Sequence, residues 1–237
     1  LAGDVQLALA INARSTARVK AAPGFAILET KSGLYTDLVM RQDKAPTNNP
    51  DFVLALKHLF DRDQIRSAVF RGFAVVANDQ PLPPTHRYHL AGLPQRKLDL
   101  DKAKFHLKKS GFAGAPIPVV ASAAAEGSID MAVLLQQSAQ KIGLGLTVNR
   151  VPGDGYWSNH WMKHALGFGN INPRPSADLL FTQFFKSDAP WNVSGWKNER
   201  FDQLLVAARA EADDAKRKAI YGDMQVMVHE QIGRALV

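Results

Sequence analysis

From Val119 to Val151 the chain reads VVASAAAEGSIDMAVLLQQSAQKIGLGLTVNRV. The β-branched pair Val119 and Val120 reads as a strand, and Leu144 to Val151 as another. Between them Met131, Leu134, Leu135, Ser138 and Ile142 recur at helical spacing, which predicts a helix over 128–142 with one apolar face. Gly143 supplies the left-handed residue that ends it. Two strands joined by such a helix are expected to lie parallel in one sheet, with a right-handed crossover. The expected fold class is therefore α/β, a mixed sheet flanked by helices.

The same signals recur outward. Asp99 stands where a helix N-cap belongs, with Asp101 in the first turn, Lys108 and Lys109 in the last, and Gly111 as the stop. Residues 74–97 hold Pro81, Pro83, Pro84 and Pro94, a density that excludes a regular helix or a central strand, so they form a long ordered arm. Asp61 and Gln64 sit at capping-box spacing ahead of a helix that buries Ile65, Ala68 and Val69 and stops at Gly72. Phe52, Leu56 and Leu59 predict a helix over 51–60, after a break marked by Pro46 and Pro50. Before that break Val5 to Ile11, Phe25 to Leu28 and Leu38 to Met40 read as strands. On the C-terminal side a helix over 153–164 carries Tyr156, Trp157 and Trp161, and Ala165 to Phe168 is a short strand. Residues 170–176 and 189–197 are irregular. Two helices follow from Asn198 and Asp213; the first buries Phe201, Leu204, Leu205 and Ala208, the second Ile220, Met224, Met227 and Val228.

Composition narrows the function. A hydrophobic share of 46% against 22% charged residues is the balance of a globular protein rather than a disordered one. No run approaches the ~18 apolar residues of a membrane span, and LAGDVQLALAINARS has no secretion-signal pattern. Zero cysteines remove disulfides and thiolate metal sites. A net charge of +7 raises the question of nucleic acid, yet Lys102, Lys104, Lys108 and Lys109 share one helix with Asp99 and Asp101, and no basic and aromatic stripe occurs, so no nucleic-acid partner is expected. There is no GxSxG, no glycine-rich phosphate cradle and no cysteine nucleophile, and Asp213 with Asp214 reads as a helix cap, so no enzyme is expected.

Five motifs, in order, resemble the peptide, dipeptide and nickel class of periplasmic solute-binding proteins of ABC importers: GDVQLAL at 3–9, LVMRQDKAPTNNPDFVLALKHLFDRDQI at 38–65, LDLDKAKFHLKKSGF at 98–112, SAQKIGLGLTVNRV at 138–151 and GWKNERFDQLLVAARAEADDAKRKAIYGDMQ at 195–225. The resemblance implies a two-lobed, extracytoplasmic protein about twice this length. Residues 1–40 would be a remnant of the first lobe with its hinge strands, and 41–237 the second lobe, whose final helices lead back towards the first. It also implies a peptide-like or related small carboxylate-bearing solute, an ABC permease in the membrane as partner, a missing N-terminal half of the same protein, and no cofactor. Two departures stand out. Val53 occupies a place where the family usually has arginine, and GFGNINPRPSAD at 167–178 replaces an acidic stretch whose aspartate resembles the partner of a peptide's amino group.

Ligand residues in such a clamp are loop residues facing the hinge, where closure removes water and strengthens polar contacts. Arg174, in a proline-stiffened loop, could hold a carboxylate through two parallel hydrogen bonds; the alternative is an ion pair with Asp178. Asn170 and Asn172 stand beside it. Trp191 and Trp196, flanking Asn192, Ser194 and Gly195, suit a pocket wall or a packed core. Trp157 joins them from an aromatic stripe whose spacing also fits core packing. His160 and His164, four apart, define a rival metal-dependent or hydrolytic site, or a nickel-complex site, against an exposed pair of neutral imidazoles. They lack a third ligand, as do His86 and His89 in the arm, so no resident metal is expected.

Overall fold

The computed structural model describes residues 4–9 and 11–236. Its elements run in the order α1 (Thr16–Ala21), β1 (Tyr35–Met40), α2 (Pro50–Lys57), α3 (Arg62–Gln64), α4 (Leu100–Ser110), β2 (Ile117–Ala121), α5 (Ser128–Gln140), β3 (Leu146–Arg150), α6 (Tyr156–Asn159), β4 (Leu166–Ile171), α7 (Ala177–Phe184), α8 (Glu199–Ala210), α9 (Asp214–Gln231) and β5 (Arg234–Leu236). The strands form one mixed sheet in the order β3-β2-β4-β1-β5. β2 runs parallel to β3 and β4, and β1 runs antiparallel to β4 and β5. The parallel pairing of β2 with β3 around α5 is the unit expected from residues 119–151.

Local chemistry explains most boundaries. Asn49, Asp99, Ser176, Asn198 and Asp213 each accept a backbone N–H at the start of their helix. Gly111 and Gly143, at φ of 68° and 78°, turn the chain where a side chain would be strained. Met131, Leu135 and Ala139 pack the buried face of α5 into a core built with Phe52, Leu56, Val119 and Phe168. A second core joins α7, α8 and α9 through Phe181, Phe201, Tyr221 and Met224, and includes Leu82 and Tyr88 of the proline arm.

Several expectations need correction. Val5 to Ile11 and Phe25 to Leu28 are not strands: no neighbouring strand supplies their hydrogen bonds among the described residues, and Val5, Leu7 and Leu9 are 65%, 76% and 96% exposed. Ala10 lies outside the described residues. The helix expected over 153–164 is the single turn α6, entered through Gly155 at φ 68° and followed by Met162 at φ 62°, where the backbone leaves the helical region. Asp61 does accept from Gln64 N–H, but the helix widens into a π-turn over Ile65–Val69, which exposes Ala68 and buries Arg62. α7 and β5 were not expected at all.

The burial of Arg62 belongs to the principal polar cluster of the interior. Asp79, in the arm, is fully buried; its Oδ1 accepts from Arg62 Nη2 at 2.6 Å and from the Leu236 backbone N–H at 3.0 Å, and its Oδ2 lies 2.9 Å from Arg96 Nε. Arg62 Nε donates to the Leu236 carbonyl at 3.1 Å. Lys57, also fully buried, donates to the His229 carbonyl at 2.8 Å, which Arg96 Nη2 reaches from the other side at 3.2 Å. Burial draws the Lys57 ammonium down to about 8, with Arg96 and Arg62 pushing the same way against the pull of Asp79.

Replacing Asp79 with Asn leaves three buried cations without their anion and is expected to destabilise the fold by ~3–5 kcal/mol in urea unfolding. Between pH 8 and 10.5 the unfolded chain keeps the Lys57 proton that the folded chain has released. Stability from this group therefore rises with pH across that window, and its burial penalty is complete below it. Lys57→Met should raise the urea midpoint at pH 7 and flatten the rise between pH 8 and 10.5.

An aromatic ledge at the candidate solute site

The pairing directions bring five strand ends to one edge of the sheet. Tyr35 at the start of β1 faces Ile171 at the end of β4, Asp37 faces Leu236 at the end of β5, and β2 and β3 run alongside β4 and finish there too. This carboxyl edge is where open α/β sheets hold ligands, because the connecting loops converge on it. The segment preceding β1 also reaches it: a Cβ on Gly33 would lie 3.1 Å from Pro173 and 3.3 Å from Pro83.

Four aromatic rings and one guanidinium form a continuous row beside β4, where Trp161 lies against Gly169. Trp157 meets Trp161 edge-on at a centroid distance of 6.0 Å, Trp161 meets Trp191 at 6.5 Å, Trp191 meets Phe184 at 5.6 Å, and the Arg174 guanidinium lies 4.8 Å from the Phe184 centroid. Trp157 and Trp191 are 41% and 46% exposed, large apolar faces left open on a rim. Arg174 is oriented rather than loose. Its Nε donates to Gln183 Oε1 at 2.5 Å and its Nη1 to the carbonyls of Asn172 and Pro173 at 2.9 and 3.2 Å, while Nη2 makes no hydrogen bond to a described residue. The pairing with Asp178 does not form, since that carboxylate meets Arg209 at 2.9 Å.

Of the other expected residues, Asn172 is exposed beside Arg174, and Asn170 is half-buried in β4 opposite Thr36. Trp196 lies elsewhere: only 6% exposed, it packs edge-on against Phe201 at 5.2 Å and belongs to the core of α7 to α9. Its ring is held inside by the hydrogen bond from Asn192 to its carbonyl and the turn at Gly195, φ 64°. The structure adds Trp161 and Phe184, which link the expected residues into one surface. Trp161 had been visible in the aromatic stripe; Phe184 is the apolar end of a helix that the proline-rich flank hid.

The ledge rests on a glycine and a buried ion pair. A Cβ on Gly169 would lie 3.2 Å from Trp161 Nε1 and 3.7 Å from Asp37 Oδ1, so the absence of a side chain is what lets the indole lie against β4. Asp37 Oδ2 accepts from Arg234 Nε at 2.6 Å, with both side chains buried. The Arg234 guanidinium stands between the rings of Phe185 and Tyr35, at 5.0 and 5.5 Å. Burial pushes the Asp37 carboxyl up against the pull of Arg234, and pushes the Tyr35 phenol up as well. Burial likewise raises Tyr156, to about 12, and its hydroxyl donates to the Phe168 carbonyl at 2.5 Å.

His160 and His164 also flank the ledge. Their rings are stacked at 5.5 Å with Nδ1 of the first 3.3 Å from Nε2 of the second, and burial, then His160, pulls His164 below the usual range. No cluster of three or more potential metal ligands occurs among the described residues. His89 is engaged with the Leu82 carbonyl at 2.8 Å in the arm.

Against known proteins, the model of the bacterial extracellular solute-binding proteins, family 5 (middle) matches residues 1–192. Heme-binding protein A of Haemophilus influenzae is 27% identical over 243 residues, covering 97% of this chain and 44% of that protein. The dipeptide-binding protein of Escherichia coli is 26% identical over 237 residues, covering 93% and 43%. Among solved structures, NikA from Staphylococcus aureus in complex with Ni(L-His)2 superposes with a TM-score of 0.85 at 18% identity, covering 96% of this chain and 49% of that one. The chain thus spans somewhat under half the length of the relatives it matches.

Because Gly169 has ordinary backbone angles, Gly169→Val should fold but push Trp161 off β4. A red shift of tryptophan emission with near-native far-ultraviolet dichroism is the expected result.

Proposed function

The chain belongs to family 5 of the bacterial extracellular solute-binding proteins, and from that premise we propose that the aromatic ledge with Arg174 is one jaw of a clamp that holds a small carboxylate-bearing or peptide-like solute for an ABC importer. The observation that carries the reading is Arg174 Nη2, left without a hydrogen bond to described residues over the buried ring of Phe184, at the end of a row in which Trp157 and Trp191 are exposed. A guanidinium oriented in this way gives a planar donor to a carboxylate, and the rings give apolar area at small entropic cost. Asn170 and Asn172 stand where a peptide binder has the partner of the amino group, Asp178 is paired with Arg209, and Arg174 lies between them as a cation, so the reading favours the acidic end of the solute over its amino end.

The opposite jaw would be the remaining half of a longer protein, with residues 1–40 belonging to it and to the hinge and 41–237 forming the second lobe. The entry of the chain into β1 and its exit from β5 at one edge support a hinge there. Contacts from both jaws would favour the shut form by their differential affinity for it, and that form would dock on the permease in the membrane. Placement outside the cytoplasm follows from the same family. A metal chelate is the second reading, favoured by the facing His160 and His164 nitrogens and by the names of relatives that bind nickel.

Native mass spectrometry of the full-length protein identifies any solute carried through purification. With a carboxylate solute so found, Arg174→Ala is expected to weaken binding by about tenfold or more in titration calorimetry, while the His160→Ala, His164→Ala pair leaves it unchanged. Unaltered affinity in Arg174→Ala would overturn the reading. This 237-residue chain alone should bind weakly, since it supplies the contacts of one jaw.

A further inference from the structure

The interior around Asp79 is unbalanced in charge. Lys57, Arg62 and Arg96 are 0%, 3% and 8% exposed, and the one buried carboxylate among them is Asp79. Glu230, half exposed, stands 3.7 Å from Arg96 Nη2 and answers part of the excess from outside. Arg96 Nε, although 2.9 Å from Asp79 Oδ2, sits off the line of a hydrogen bond. Cations shielded from water keep a long reach, and their uncompensated field emerges where they next meet solvent.

That place is a groove of about 780 Å³. Arg62 and Arg96 form its floor, and exposed Arg66 and Lys97 stand on its rim. Its two acids are Asp61, committed to the Gln64 N–H, and exposed Asp63; with Asp79 and Glu230, which pair Arg62 and Arg96, and with buried Lys57, five cations stand against four carboxylates. One wall is apolar, with Val75 66% exposed and Leu98 beside it. Neither the Val75 nor the Lys97 N–H is hydrogen-bonded to another described residue. None of these residues belongs to the aromatic ledge.

We propose that this groove is a second, separate binding site, for an oxyanion, carboxylate or phosphate, attached to an apolar body. The anion seats between Arg96 and the rim pair Arg66 and Lys97, and the apolar part lies along Val75 and Leu98. An oxyanion there restores the charge balance that Asp79 alone leaves incomplete, which is why the site favours anions over neutral ligands of the same shape. The inference stands independently of the proposed clamp.

Titration calorimetry and thermal unfolding of this chain, at constant ionic strength, test it with two probes. Inorganic phosphate reports the anion site, and hexanoate reports the anion joined to an apolar body. Binding of hexanoate more tightly than acetate, with a raised melting temperature, is expected in the parent and in Arg174→Ala. In Arg66→Glu with Lys97→Glu, both on exposed positions, affinity for both probes should fall at least about tenfold while the melting temperature in chloride is kept. The proposal is overturned if neither probe binds, if binding survives the double charge reversal, or if Arg174→Ala abolishes it, which would assign the anion to the ledge. Val75→Ser separates the two sources: loss of the preference for hexanoate over acetate supports the apolar wall, and an unchanged preference removes that part of the proposal.

Discussion

Asp79 is the constraint on which the arrangement of this molecule depends. Through one carboxylate it holds the proline arm, the start of the α3 segment and the backbone of β5, three pieces separated by up to 174 positions in sequence. β5 is only three residues long and pairs with β1 alone, so its place at the sheet edge needs more than its own ladder. Arg62 and Asp79 supply it by binding both the carbonyl and the N–H of Leu236. With β5 fixed, Arg234 is carried under β1 to meet Asp37, and the floor of the ledge is complete.

How legible each part was in the sequence follows from how local its causes are. α4 could be read outright, because its cap at Asp99, its charge gradient and its stop at Gly111 all lie within thirteen residues. The β2, α5, β3 unit was readable for the same reason, and so were the caps at Asn198 and Asp213. β5 was not, since a run containing a buried arginine has no apolar pattern and its strand character comes from Asp37 and Asp79, both far away in sequence. The N-terminal segment fails in the opposite way: Val5, Leu7 and Leu9 do alternate as a strand should, but periodicity specifies a face and not the partner that must pair with it.

At the candidate site the sequence marked only part of the surface that the structure assembles. Arg174, Trp157 and Trp191 are joined into one row by Trp161 and Phe184, with Asn172 beside Arg174, and prolines and irregular composition are what marked these loops. Trp196 was misplaced since a tryptophan beside small polar residues has the same local signature whether the turn at Gly195 points it outward or, as here, onto Phe201. Gly169 carried no signal on its own. Its meaning appears only when the register sets it opposite Asp37 and under Trp161.

The two charged regions of the molecule differ in a way that bears on what each can bind. At the ledge, the buried cation Arg234 is matched by Asp37 and flanked by two rings, so the floor is close to neutral and the charge offered to a solute is that of Arg174 itself. Such a site selects by shape and by directed hydrogen bonds, with one oriented guanidinium at the end of an apolar row. At the groove, the buried cations outnumber their anion, so the field exists before any ligand arrives and is less dependent on the geometry of a single side chain. On the proposed reading the ledge would recognise a particular solute, and the groove a charge.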